Sequence, residues 1–289
     1  MTPSSLDCGV NAGVLVTAAV LGSAVLHASW NALAHRVPEP LAAMTLIGVG
    51  ICVLSVPLLL TVPPPARSTW PYLGRSLALH VTYVVLLARS YRFGDFGQVY
   101  PIARGTSPLV VTLVAAAVLG ERLAAGTLAG VLLVCAGLAV LVGVRGLRSG
   151  DRRAVLAAGA TGLAISGYTV VDGAGVRAAG GAIAYSVWLL AGVGLGMLTT
   201  AAPVLRRRLG PMLARRWWLA PVGGVLCWSS YTLVLWAQAR GALGAVAALR
   251  ETSVIVAAVI GAVVFGERFG PRRILATVLV ASGVVVMNR

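Results

Sequence analysis

The sequence contains no lysine. All 23 basic residues are arginine, they face only 8 acidic ones, and charged residues make up 11% of 289 positions. A water-facing surface carries roughly 25% charge, so soluble domains are excluded, although the length alone would allow two. Cysteine is sparse: Cys8, Cys52, Cys135 and Cys227 are scattered without a CxxC, which argues against a metal centre or a disulfide frame. HExxH, GxSxG and Walker A patterns are missing, and His27, His35 and His80 show no ligand spacing with a carboxylate. No enzymatic activity, metal or cofactor is expected. Residues 1–11 hold no arginine, so the basic n-region of a signal peptide is lacking.

What the sequence does have is apolar surface: 58% hydrophobic residues and a mean hydropathy of +0.92. A bilayer-crossing helix needs about 20 apolar residues. Ten runs qualify: 12–34, 41–62, 73–90, 98–119, 124–144, 154–174, 182–204, 217–239, 242–265 and 271–288. Pro38 and Pro40, then Pro63, Pro64 and Pro65, then Gly94 and Gly97, and later Gly180 and Gly181, punctuate the links. No link is long enough for a soluble domain. Gly126, Gly130 and Gly137, and again Gly192 and Gly196, sit at helix-packing spacing. The net charge of +15 is read as arginine in the links of a membrane protein rather than as a nucleic-acid footprint. Arginine, alanine and glycine in place of lysine point to a GC-rich bacterial genome, and hence to a multi-pass protein of the bacterial plasma (inner) membrane.

The chain repeats itself. Residues 103–123, ARGTSPLVVTLVAAAVLGERL, align without a gap on residues 249–269, LRETSVIVAAVIGAVVFGERF, at an offset of 146 with 9 of 21 positions identical. The informative matches are Arg104/Arg250, Thr106/Thr252, Ser107/Ser253, Gly120/Gly266, Glu121/Glu267 and Arg122/Arg268; Gly137 and Gly283 continue the register. The offset lays the fourth span on the ninth and the fifth on the tenth. The fold expected is therefore all-α and integral to the membrane, with ten transmembrane helices as two five-helix repeats, 1–148 and 149–289. Five is odd, so the halves enter from opposite sides. Such inverted repeats are the design of many transporters, with the substrate site near the midplane.

Ionisable groups inside spans mark function by default. Arg104 and Arg250 lie about two turns into the fourth and ninth spans. Glu251 supplies one counter-charge, and Asp172, near the end of the sixth span, is expected to supply another. The surplus positive charge suits a carboxylate or phosph(on)ate, which the planar guanidinium grips in a fork; the alternative is a structural arginine pair bonding carbonyls across the repeat. Glu251 stands where the first half has Gly105, and a carboxylate in an apolar span is a candidate proton carrier, or else a permanent partner of an arginine. His27 and Asn31 share a face of the first span, with Trp30 beside them. His80 and Tyr83 share a face of the third. Tyr100 precedes Arg104 by a turn and Pro108 follows by one, a place for a kink. Tyr168, Trp228 and Tyr231, with Gln238, complete the polar and aromatic set of the second half; Trp70, Tyr72, Trp217 and Trp218 fit interfacial belts better. The candidate substrate-binding set is His27, Asn31, His80, Tyr83, Tyr100, Arg104, Tyr168, Trp228, Tyr231 and Arg250, with Glu251 as the candidate coupling residue.

Two five-helix halves, each closing its fourth helix with GER, resemble the drug/metabolite transporter superfamily, EamA type, over nearly the whole chain. HASWNALAHR (27–36) and YPIARGTSP (100–108) look like a bacterial subgroup associated with phosphonate-utilisation genes. The resemblance implies a secondary transporter, an exporter or exchanger, moving a small polar metabolite with an anionic or zwitterionic handle by alternating access. It also implies that the GER motifs are architectural clasps. A flippase of lipid or lipid-linked cargo is the alternative on the same fold, favoured by a groove open to lipid between the halves. A purely structural membrane subunit would have no evident use for the intramembrane arginines and Glu251. The partners expected are a small-molecule substrate and the lipid bilayer, not nucleic acid, with homodimerisation left open. Arginine asymmetry, 15 on the odd-numbered links against 6 opposite, predicts both termini outside; the resemblance implies cytoplasmic termini.

Overall fold

The computed structural model describes residues 5–37, 39–90, 96–122, 124–148, 152–205, 209–266 and 270–287. Among them the only regular structure is helical. The elements are α1 (Ser5–His35), α2 (Pro40–Thr61), a 3-10 turn (Arg67–Thr69), α3 (Trp70–Ser90), α4 (Phe96–Leu119), α5 (Ala125–Arg148) and α6 (Arg152–Ala178). They continue with α7 (Ala182–Leu205), α8 (Leu209–Arg216), α9 (Leu219–Gln238), α10 (Leu243–Arg250), α11 (Ser253–Phe265) and α12 (Pro271–Met287).

Among the described residues seven helical segments are long and apolar enough to cross a bilayer: α1, α2, α4, α6, α7, α9, and α10 with α11 taken together. The apolar stretch of α5, Ala125–Leu141, falls short in length. Helix α12 has 17 residues, and α3 carries Arg75, His80 and Arg89 within its 21.

The helix ends follow from local chemistry. Gly120 and Gly266, the glycines of the two GER motifs, both take φ of 67° and stop α4 and α11. That left-handed turn is cheap only for glycine, and at α11 it lets the Gly266 N–H donate back to the Gly261 carbonyl. Gly180, at φ 66°, separates α6 from α7 in the same way.

Two features depart from the sequence expectation. The Arg-rich link after α7 contains the short helix α8, too brief for any apolar period to reveal. The ninth span is interrupted at Glu251–Thr252, whereas α4 runs unbroken through Pro108. At the interruption the Glu251 N–H bonds the Ala248 carbonyl and the Thr252 N–H bonds that of Leu249, the tighter i−3 spacing. The Thr252 hydroxyl donates to the same Leu249 carbonyl at 2.7 Å. Bonding of this kind loosens a helix.

Small residues set the closest helix contacts. A Cβ at Gly130 of α5 would meet the Gly283 carbonyl of α12 at 2.6 Å, and one at Gly137 would meet the Ala276 carbonyl at 3.0 Å. Gly48 of α2 faces Gly194 of α7, and Gly50 of α2 faces Ala220 and Gly224 of α9. With no hydrophobic drive between helices in lipid, such close backbone approach supplies the packing energy. Helix α6 lies against α3 and α4, and α1 against α9 and α11. The polar side chains of α1, α3, α4, α6, α9 and α10 are thereby turned toward one interior.

Candidate functional site

Helix α4 carries Arg104 into the interior, 7% exposed, where it meets the α10–α11 interruption. The Arg104 Nε–H donates to Glu251 Oε2 at 3.0 Å, and Nη2 donates to the Ser253 hydroxyl at 3.2 Å. Glu251 is 4% exposed. The Arg104 guanidinium thereby spans the interruption, reaching a side chain on either side of Thr252. A guanidinium with a carboxylate and a hydroxyl is a satisfied buried ion pair.

Arg250 is half-buried and differs. Among the described residues it has no carboxylate at ion-pair distance; its guanidinium carbon lies over the Tyr231 ring at 5.6 Å from the centroid. A cation on an aromatic face keeps its N–H donors available. Arg104 and Arg250 both stand within electrostatic reach of His27 and of Tyr168.

The aromatic candidates gather into one stack. His80 of α3 stacks on Tyr168 of α6 with centroids 4.0 Å apart and 22° between planes. Tyr231 of α9 meets the His80 ring edge-on at 5.6 Å, and Tyr83 meets Tyr168 at 5.9 Å. The His80 Nδ1 is bonded to the Ser76 carbonyl at 3.0 Å and the Ser76 hydroxyl at 3.2 Å.

Asp172 departs from its expected role. It bonds neither arginine. Its Oδ1 accepts from the Tyr185 hydroxyl at 2.9 Å and its Oδ2 from the Tyr231 hydroxyl at 2.5 Å. Asp172 and Tyr185 are both fully buried. No sequence signal singles out Tyr185. It lies four residues into α7, where an aromatic reads as interfacial.

The remaining candidates sit at the edges of this group. His27 makes an edge contact with Trp30 at 5.0 Å. Asn31 turns inward on its own helix, donating to the His27 carbonyl at 2.8 Å. Trp228 donates its indole N–H to Ser55 across α2 and α9 at 3.2 Å. Tyr100 belongs to α4, and its side chain lies outside the described residues.

The first GER motif does more than end a helix. The Leu243 N–H at the start of α10 donates to Glu121 Oε2 at 2.9 Å, and Arg177 at the end of α6 donates to Glu121 Oε1 at 2.8 Å. Arg177 also donates to the carbonyls of Gln238 and Gly241. A carboxylate at a helix N-terminus satisfies a free N–H and complements the helix dipole. Glu121 thus ties α4 to α6 and α10, not merely to α5. Glu267–Phe269, which include the second motif's Glu and Arg, lie outside the described residues.

These features define a polytopic helical membrane protein with a charged and aromatic interior. Residues 152–289 match the EamA-like transporter family. Comparison with curated proteins finds no match. A solved crystal structure of a protein, 21% identical, aligns over 96% of this chain and 96% of its own with a TM-score of 0.71. At that identity the likeness shows a shared fold and nothing more.

Proposed function

We propose that the chain is a ten-span secondary transporter, an exporter or exchanger of a small polar metabolite. It works by alternating access between two inverted five-helix halves in the bacterial plasma membrane. The observation that carries the substrate reading is Arg250. Among the described residues it is an intramembrane guanidinium without a carboxylate partner, beside the His80–Tyr168–Tyr231 stack. An anionic group on the substrate completes its charge and takes its forked donors. Tyr168 and Tyr231 offer flat walls beside it, and His27 lies within electrostatic reach. Arg104 is a structural partner of Glu251 in this reading.

The packing supports the two-fold arrangement. A shift of 146 residues turns Gly48 into Gly194, and these two glycines touch. The same shift turns the Gly130–Gly283 contact into Ala276–Gly137, which is also formed. It turns the pairing of α3 with α6 into that of α9 with α1, and α4 with α6 into α10–α11 with α1. Two near-equivalent halves can exchange conformations, and the exchange swaps the open side.

Purified protein in proteoliposomes tests the reading with labelled amino acids, organic acids and phosphonates, each with and without an imposed pH gradient. The expected result is uptake of a solute bearing a carboxylate or phosphonate, reduced at least tenfold in Arg250→Gln. Uptake of equal rate in that variant sinks the assignment of Arg250.

A lipid or lipid-linked cargo is the second reading, favoured by one observation. A groove of about 190 Å³ opens between α3 and α7, lined by Trp70, Leu73, Gly74, Leu77, Trp188 and Gly192 among others. It lies between the two proposed halves and is lined mainly by apolar surface. Scrambling of a fluorescent lipid by the same vesicles, absent from protein-free ones, would favour it.

A further inference from the structure

Among the described residues two carboxylates are buried within the bundle, Glu251 and Asp172, and they are held by different chemistry. Glu251 faces Arg104. A guanidinium only donates and does not give up its proton. A proton placed on Glu251 would leave a buried cation without counter-charge, an expensive state. That geometry holds Glu251 in one form.

Asp172 has neutral partners. Two hydroxyls converge on it, from Tyr185 of α7 and Tyr231 of α9. A hydroxyl both donates and accepts. Each donates to one oxygen of the carboxylate. When the carboxyl takes a proton it becomes a donor itself, and one hydroxyl turns round to accept. The cage therefore satisfies both forms, where an arginine satisfies one.

The other groups that face this cage come from every helix packed on α6. His80 of α3 lies within electrostatic reach of Asp172 and is bonded to Ser76. Tyr168 of α6 itself stacks on that His80. Arg250 of α10 lies over the ring of Tyr231. Arg104 of α4 is tied to Glu251. The 3-10 turn carries only the exposed Arg67 as a charged group.

We propose that Asp172 is the proton carrier of the transport cycle, caged by Tyr185 and Tyr231, with His80 packed against Tyr231 beside it. The inference rests on the transporter reading above. In each cycle one proton adds to an Asp172 carboxylate oxygen from one aqueous side and leaves that same oxygen to the other. Tyr231 links the two functions: its hydroxyl bonds the proton site and its ring lies under Arg250, the anion site. The coupling residue is then set 79 positions before the repeat's asymmetric Glu251.

Infrared difference spectroscopy of the full chain in bilayers, across a pH titration and without any solute, reads the proton directly through the carbonyl stretch of a protonated carboxylic acid. The band should appear on titration of wild type, vanish in Asp172→Asn, and persist in the double variant Arg104→Gln/Glu251→Gln, which removes the ion pair without stranding a charge. If Asp172→Asn does not yield monodisperse protein, Tyr185→Phe and Tyr231→Phe serve. Each deletes one hydrogen bond to the acid and should shift the band frequency. A band lost in the double variant, a band that neither tyrosine variant moves, or no titrating band at all overturns the proposal. Because no transported solute enters, the infrared result is independent of the uptake screen.

Discussion

Arg104 and Arg250 occupy one position of the sequence repeat, 146 residues apart, and they end in opposite circumstances. Arg104 sits in a continuous helix and is matched by Glu251 and Ser253. Arg250 ends a broken one and rests on the Tyr231 ring. The residue that separates their fates is the one after each arginine: Gly105 in the first half, Glu251 in the second. Glu251 reaches across to the other half's arginine and leaves its own neighbour unmatched. A repeated sequence thus carries one paired cation and one that the proposed function assigns to substrate, set apart by a single unrepeated carboxylate.

The largest expected effect breaks the paired member. Glu251→Gln strands the Arg104 charge in the interior, and breaking one side of a buried pair costs about 3–5 kcal/mol. Thermal unfolding in detergent should show a marked loss of stability, largely recovered by adding Arg104→Gln. Equal instability of the single and double variants would contradict the pairing.

Next comes the member assigned to substrate. Arg250→Gln removes a charge-assisted contact of about 1.5–3 kcal/mol with an anionic solute, read as a tenfold or greater rise in KM for uptake at little cost in stability. Arg250→Lys keeps the charge, loses the fork, and should fall between the two. A loss of stability like that of Glu251→Gln would show that Arg250 is structural as well.

The seams between halves come third. Gly283→Ala puts a methyl against the Gly130 carbonyl, 2.7 Å from where its Cβ would lie. Overpacking of this kind costs about 1–3 kcal/mol, and thermal stability should drop by that order. Gly74→Ala, with open space around its Cβ, is the control and should change little.

The smallest effect belongs to the clasp. Glu121→Gln keeps a hydrogen bond to the Leu243 N–H but loses the ion pair with Arg177, which is about one-third exposed. Partly exposed pairs contribute about 0.2–1 kcal/mol. Stability should barely change, and a collapse of the fold would mean that the clasp holds far more than its geometry implies.

Much of this comparison is legible in the sequence, and the remainder is hidden for a physical reason. The apolar runs and their glycine and proline punctuation place helix ends such as Ser90, Leu119, Ala182 and Phe265 correctly, because those signals are local. The repeat exposes Arg104, Arg250 and Glu251. What escapes is which carboxylate meets which donor. Asp172 is expected to serve an arginine and serves Tyr185 and Tyr231 instead, since its partners lie on α7 and α9 and no spacing along α6 encodes them. The break at Glu251–Thr252 is equally hidden: Pro108 carries the stronger local signal for a kink, yet α4 continues through it. Glu121 reads as a clasp between consecutive helices, whereas its bond to Leu243 joins residues 122 positions apart. His80 and Tyr168 stand out separately in the sequence, and their stacking is a property of α3 lying on α6.

The most direct test of the account compares an acid with its uncharged amide in the vesicle assay, using wild type, Arg250→Gln and the double variant Arg104→Gln/Glu251→Gln. Wild type and the double variant should both prefer the acid, and Arg250→Gln alone should lose that preference. A preference that survives in Arg250→Gln, or disappears in the double variant, would show that the two arginines do not divide their work as their surroundings indicate.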